Sequence, residues 1–185
     1  MVVTTEAEKT ALQKGGKILS YILDKLVEAS KPGVTTGFLD DLASKLLKES
    51  KAESAFKGYK KYPAVLCTSI DNEAVHAVPY PLESNGNWFE RTFHHFSTPS
   101  SGRELKEGNL LKLDFGVRYK GFNTDSARTI IVSNNPENYP KLNRLINTTR
   151  EALDAGIAKA RAGNTVGDIG AAVEQVVRRN GFRIL

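Results

Sequence analysis

Two aspartates, Asp114 and Asp125, stand in the segment LKLDFGVRYKGFNTDSARTIIV, where short apolar runs flank a polar centre. Alternation of this kind reads as a β-hairpin. With Tyr119 and Lys120 at the tip of a two-residue turn, Asp114 falls directly across the ladder from Asp125. Facing Cβ atoms lie about 5 Å apart on one side of a sheet. Two carboxylates so placed repel unless one is protonated or a cation lies between them. Carboxylates that bridge divalent ions are the frame of two-metal hydrolases. The plainer alternative is a pair of turn-flanking aspartates neutralised by Lys120 or Arg128.

Other reactive side chains are few. His76 lies in TSIDNEAVHAVP, just past an apolar strand, and by itself reads equally as a surface or satisfied core histidine. His94 and His95 are adjacent, project differently and sit in a polar stretch from Tyr80 to Gly102 that reads as an exposed loop, so they are not taken as ligands. Cys67 is the single cysteine; it reads as a small buried hydrophobe or as the lining of a pocket. The GxSxG elbow, the GxxxxGK[ST] phosphate loop and the HExxH helix are all absent, which removes support from serine-hydrolase, P-loop and zincin readings.

The elements that must hold these residues follow from periodicity. Leu12, Leu19, Ile22, Leu23, Leu26 and Val27 mark one face of a helix that Pro32 and Gly33 stop. Thr35-Thr36-Gly37 predicts the cap of a second helix with Leu39, Leu42, Leu46 and Leu47 inward, and with Asp40 and Asp41 in its first turn, where the helix dipole favours them. VLCTSI, LLKLDFGV and ARTIIV predict strands, and helices return from Tyr139 onward. An offset of 130 residues lays KPGVTTGFLDDLASKLL over RAGNTVGDIGAAVEQVV, aligning Gly33, Thr35 and Gly37 with Gly163, Thr165 and Gly167. This predicts an internal duplication, with a first repeat over 1–135 and the start of a second over 136–185. The second helix pair ends where strands followed the first, so Ile157, Ile169, Val173, Val176 and Val177 are expected to be only partly covered.

The composition bounds the class. The 185 residues are 40% hydrophobic and 25% charged, the balance of a globular domain. No apolar run approaches the length of a membrane span, and the N-terminus has no apolar signal region. One cysteine offers no internal disulfide, which fits a reducing, cytoplasmic address. The net charge of +5 is compatible with contact with a ribosome surface, but the lysines are spread along a helix and the following loop among glutamates, so no dedicated nucleic-acid site and no membrane partner is expected.

Three segments together carry a resemblance: KPGVTTGFLDDLA, GYKKYPAVLCTSIDNEAVHAVP and LKEGNLLKLDFGVRYKGFNTDSARTIIV. A PG-x-T-T helix start, an Asn/Asp-Glu-x-x-His-x-x-Pro turn and a D-x(10)-D hairpin follow in the order shown by the methionine aminopeptidases of the pita-bread metallopeptidase superfamily. The resemblance covers nearly all of the chain except the stretch from Tyr80 to Gly102, which is longer than the usual connection. The lone Trp88 falls in that stretch and is equated with no pocket residue.

The resemblance implies an α+β pita-bread (creatinase/aminopeptidase) fold, represented by its N-terminal half and the first helices of the second repeat. It implies a methionyl aminopeptidase acting on N-terminal methionyl peptides and nascent proteins, with two divalent ions (Co, Mn, Fe or Zn) that activate water against the first peptide bond. Asp114 matches the carboxylate that chelates one ion and Asp125 the one that bridges both. His76 matches the histidine that hydrogen-bonds the scissile amide and supports the tetrahedral intermediate, and Tyr59, Tyr62 and Cys67 match the lining of the methionine pocket. Ala77 stands where the family usually has glycine. The family's remaining His and two Glu ligands fall beyond the point matching Leu185, so two of five ligands are expected here and the 185 residues alone are expected to be inactive. Two alternatives share the fold: a proline-specific aminopeptidase or dipeptidase, and a non-catalytic pita-bread binding module.

Overall fold

The computed structural model describes residues 2–80 and 102–184; Trp88, His94 and His95 lie outside the described residues. The chain divides into two compact units, Met1–Asn134 and Asn135–Leu185.

In the first unit, helix α1 (Glu6–Ala29) opens on a reciprocal cap: Thr5 Oγ accepts the Glu8 N–H, and the Glu8 carboxylate accepts the Thr5 N–H. Its inward residues Ala11, Gly15, Leu19, Ile22, Leu23 and Leu26 recur at three- and four-residue steps. Pro32 and Gly33 (φ 88°) end the run. Thr35 then caps α2 (Thr36–Glu49), its hydroxyl accepting from the Phe38 N–H at 3.2 Å.

Four strands form an antiparallel sheet: β1 (Glu53–Ser54), β2 (Leu66–Ile70), β3 (Leu110–Tyr119) and β4 (Phe122–Ile131). Strand β3 is central, with β4 on one side and β1 and β2 sharing the other. Period-two alternation sends Leu111, Leu113, Phe115 and Val117 into the core against the two helices, where all four are fully buried. The opposite face carries Lys112, Asp114 and Gly116.

The hairpin register differs from the expected one. Tyr119 pairs with Phe122, so the turn residues are Lys120 and Gly121, with φ values of 49° and 84°. Two successive positive φ angles define the turn whose twist suits a two-residue hairpin, and a glycine takes the second position without steric cost. Tyr119-Lys120 offers no such residue. Asp114 consequently faces Ala127, and Asp125 faces Gly116. The slip is by two residues in the pairing, so both aspartates keep the same side of the sheet.

The second unit is a helix pair, α3 (Pro140–Lys159) and α4 (Val166–Arg179), joined through Gly163 (φ 92°) and capped at Thr165. The helices approach closely where a Cβ on Gly156 would stand 3.0 Å from Val173. Their packing buries Val176, against the expectation that it is only partly covered, while Leu153 and Ile157 stay exposed.

Candidate metal centre

On the side of the sheet away from the helices, the ladder aligns Cys67 on β2, Asp114 on β3 and Ala127 on β4 in one row. Asp125 lies diagonally from Asp114. The carboxyl pKa of Asp114 is raised, first by burial, then by the charge of Asp125 and a hydrogen bond with it. That of Asp125 is also raised by burial, against the lowering effects of its hydrogen bond with Asp114 and of His76. Without a cation, the pair is best described as an acid on Asp114 donating to a carboxylate on Asp125.

The cations that could have neutralised the pair are engaged elsewhere. Arg128 lies on the helix-facing side and meets Asp24 at 3.5 Å. The Lys120 ammonium sits over the Tyr119 ring, 5.9 Å from its centre. Lys112 donates to the Asp71 carbonyl at 2.7 Å. An under-compensated pair of oxygen donors is the chemistry that suits a hard divalent ion. Among the described residues, however, no group of three or more His, Cys, Asp or Glu side chains is gathered as a metal cage.

His76 is exposed and takes a left-handed backbone conformation, φ 59°. It lies near enough to both aspartates to lower their carboxyl pKa values electrostatically. Ala77 fastens the turn: its carbonyl accepts from the Thr68 N–H at 3.0 Å, and its N–H donates to Ser69 Oγ at 3.2 Å.

Beside the aspartates lies an apolar corner. The Tyr62 hydroxyl reaches the Leu66 carbonyl at 3.0 Å and the Ala77 carbonyl at 3.3 Å. Burial pushes the Cys67 thiol up to about 11; its hydrogen bond with Tyr62 opposes this, and the surrounding aspartates add to it. The thiol is therefore protonated at neutral pH and serves as a small, soft surface. Tyr59, in the short turn before Tyr62, is largely exposed.

Phe56 and Gly116 contribute beyond the residues expected from the sequence, and Asp40 has a role other than the expected one. Phe56 packs its ring edge-on to Tyr62, with centroids 6.5 Å apart, in space that exists because residue 116 is glycine: a Cβ there would come within 2.6 Å of Phe56. Glycine inside a strand is the signal for such a close approach. Asp40 is buried and lies beyond the first turn of α2. It accepts the Val65 and Leu66 N–H groups at 2.9 and 2.8 Å and the Tyr80 hydroxyl, so it anchors the start of β2 and is not placed there for the helix dipole.

The sequence profile of metallopeptidase family M24 matches residues 10–184. A methionine aminopeptidase of Clostridium perfringens is 34% identical over 185 residues, which are 100% of this chain and 65% of that protein. The solved methionine aminopeptidase of Thermotoga maritima superposes with a TM-score of 0.82 at 26% identity, covering 100% of this chain and 65% of that one. Escherichia coli aminopeptidase P gives a TM-score of 0.73 at 16% identity, over 96% of this chain and 34% of that one, a likeness of fold alone. The chain thus spans about 65% of the length of the curated relatives it matches.

Proposed function

The chain belongs to metallopeptidase family M24, and on that footing we propose that it forms the larger part of a methionyl aminopeptidase that trims the first residue from new proteins in the cytoplasm. The observation that carries this reading is the under-compensated pair Asp114–Asp125 on one sheet face, with His76 acting on both and an apolar, sulfur- and aromatic-lined corner alongside. The relatives that match over the whole chain at the higher identity are methionine aminopeptidases, whereas the likeness to aminopeptidase P extends to fold alone.

In this reading Asp114 and Asp125 supply oxygen donors to two divalent ions (Co, Mn, Fe or Zn). When bound, such ions polarise the scissile carbonyl and make water a nucleophile near neutral pH. His76 directs an imidazole N–H at the scissile amide and helps hold the negative charge that develops on its oxygen. Tyr62 and Cys67, with Phe56 behind them and Tyr59 at the rim, receive the substrate's first side chain. A thioether on an aromatic edge is a favourable contact, which suits methionine. The 185 residues hold two of the donors the reading requires, and the others are assigned to the third of the relatives' length that this chain does not span.

The test is substrate choice by the polypeptide completed to its relatives' length. Metal-dependent release of methionine from Met-Ala-Ser, with little turnover of Ala-Pro peptides, is expected. Preference for the Ala-Pro peptides would transfer the chain to the proline-specific branch. Absence of turnover with either, together with failure to bind divalent metal, would make it a non-catalytic module.

A further inference from the structure

The turn that carries His76 is gripped on both sides by one arginine. Glu73 precedes His76 by three residues and Val78 follows it by two. One terminal nitrogen of Arg103 donates to the Glu73 carboxylate. The other donates to the Thr68 carbonyl on β2 and, at 3.4 Å, to the Val78 carbonyl. A single planar guanidinium thus joins the segment before His76, the segment after it and the strand beneath.

Arg103 is itself held. Its N–H donates to Thr36 Oγ at 2.9 Å, and its carbonyl accepts the Thr36 N–H at 2.9 Å, which fixes it to the first turn of α2. Gly102 before it has φ 128°, and a Cβ there would lie 2.5 Å from the Gly37 nitrogen and 2.8 Å from the Pro79 carbonyl, so only glycine brings Arg103 in this close. The far end of the strap is tied to the same threonine, whose hydroxyl donates to the Pro79 carbonyl. Burial tends to raise the Glu73 carboxyl, but the Arg103 hydrogen bonds and charge and the Ile70 N–H outweigh it, so the partner is a carboxylate at neutral pH.

We propose that Arg103 is a positioning residue: by bridging Glu73, Thr68 and Val78 it fixes the left-handed turn at His76 and thereby the placement of the imidazole. This rests on the catalytic reading of His76 given above. Lysine cannot substitute, because its ammonium lacks the planar fork that spans several acceptors at fixed angles.

Two measurements test it, the first without any use of activity. In the 185-residue chain carrying Arg103→Lys, the Ala77 amide is expected to exchange at least tenfold faster and the His76 ring resonances to move, while the Leu113 amide of the sheet stays protected. Unchanged Ala77 exchange and His76 resonances would overturn the proposal. Should Arg103→Lys unfold the sheet, Glu73→Gln, which keeps an oxygen acceptor but loses the charge, is read on the same two signals with the same consequences.

The second measurement uses the polypeptide completed to its relatives' length. Arg103→Lys is expected to lower kcat by about ten- to a hundredfold at unchanged metal content, as for a misplaced group, and to cause no further loss in a His76→Ala background. Equal losses in both backgrounds would show that Arg103 does not act through His76. If that completed polypeptide released no methionine at all, the proposed function would fail while the exchange and resonance data still decided whether Arg103 positions His76.

Discussion

His76 acts electrostatically on the aspartate pair from a backbone conformation that few residues other than glycine adopt, φ 59°, and such positions persist only where the surroundings impose them. In the proposed reaction this histidine touches substrate and not metal. His76→Ala in the polypeptide completed to its relatives' length is therefore expected to lower kcat by roughly a hundred- to a thousandfold, the loss of one donor to a developing oxyanion. Metal content should be unchanged, as elemental analysis of the purified variant can check; loss of metal would make His76 a ligand. The aspartates act in the opposite sense on stability. Both pKa values are raised in the folded chain, so the folded state keeps protons that the unfolded state has released. Stability is then lost as pH rises from the ordinary aspartate range, near 4, through the raised values. Asp114→Asn removes this penalty. The metal-free variant is expected to melt at or above the parent's Tm at pH 7 and to show no rise in Tm on adding Mn(II); a metal-free variant clearly less stable than its parent would contradict the electrostatic account.

Strand β3 decides the site at the level of elements, because its alternation sends Phe115 to the core and Asp114 and Gly116 to the other face. Gly116→Ala would force Phe56 away from its edge-on contact with Tyr62. A destabilisation of about 1–3 kcal/mol, measured by urea unfolding, is expected for such overpacking; unchanged stability would show that Phe56 is not held there. Most of these elements were legible in the sequence. The steps from Leu12 to Val27, the threonine at position 35 and the apolar runs around Cys67 and Asp114 are short-range signals, and the structure follows them. The hairpin register is not legible in the alternation alone, since it depends on which pair of residues takes positive φ, and that pair is Lys120 and Gly121. Asp40 was misread because its partners, Val65 and Leu66, are distant in sequence and only the fold brings them near. Phe56 and Arg103 carry no local signal for the same reason: their roles arise from contacts with residues 60 and 25–35 positions away.

The proposed dinuclear site would need more donors than Asp114 and Asp125, since two carboxylates alone bind divalent ions weakly and do not close such a cage. The 185 residues expressed by themselves are accordingly expected to release no methionine at any concentration of manganese, cobalt, iron or zinc. The proposed methionyl aminopeptidase activity depends on metal held by Asp114 and Asp125. Its most direct test is methionine release from Met-Ala-Ser by the polypeptide completed to its relatives' length, at saturating metal, for the parent and for Asp125→Asn. Turnover by the parent, falling to background in the variant together with the loss of at least one bound metal equivalent, is the expected result, because a neutral amide is a poor bridging ligand for a hard cation. Near-parental turnover and metal content in Asp125→Asn would contradict it.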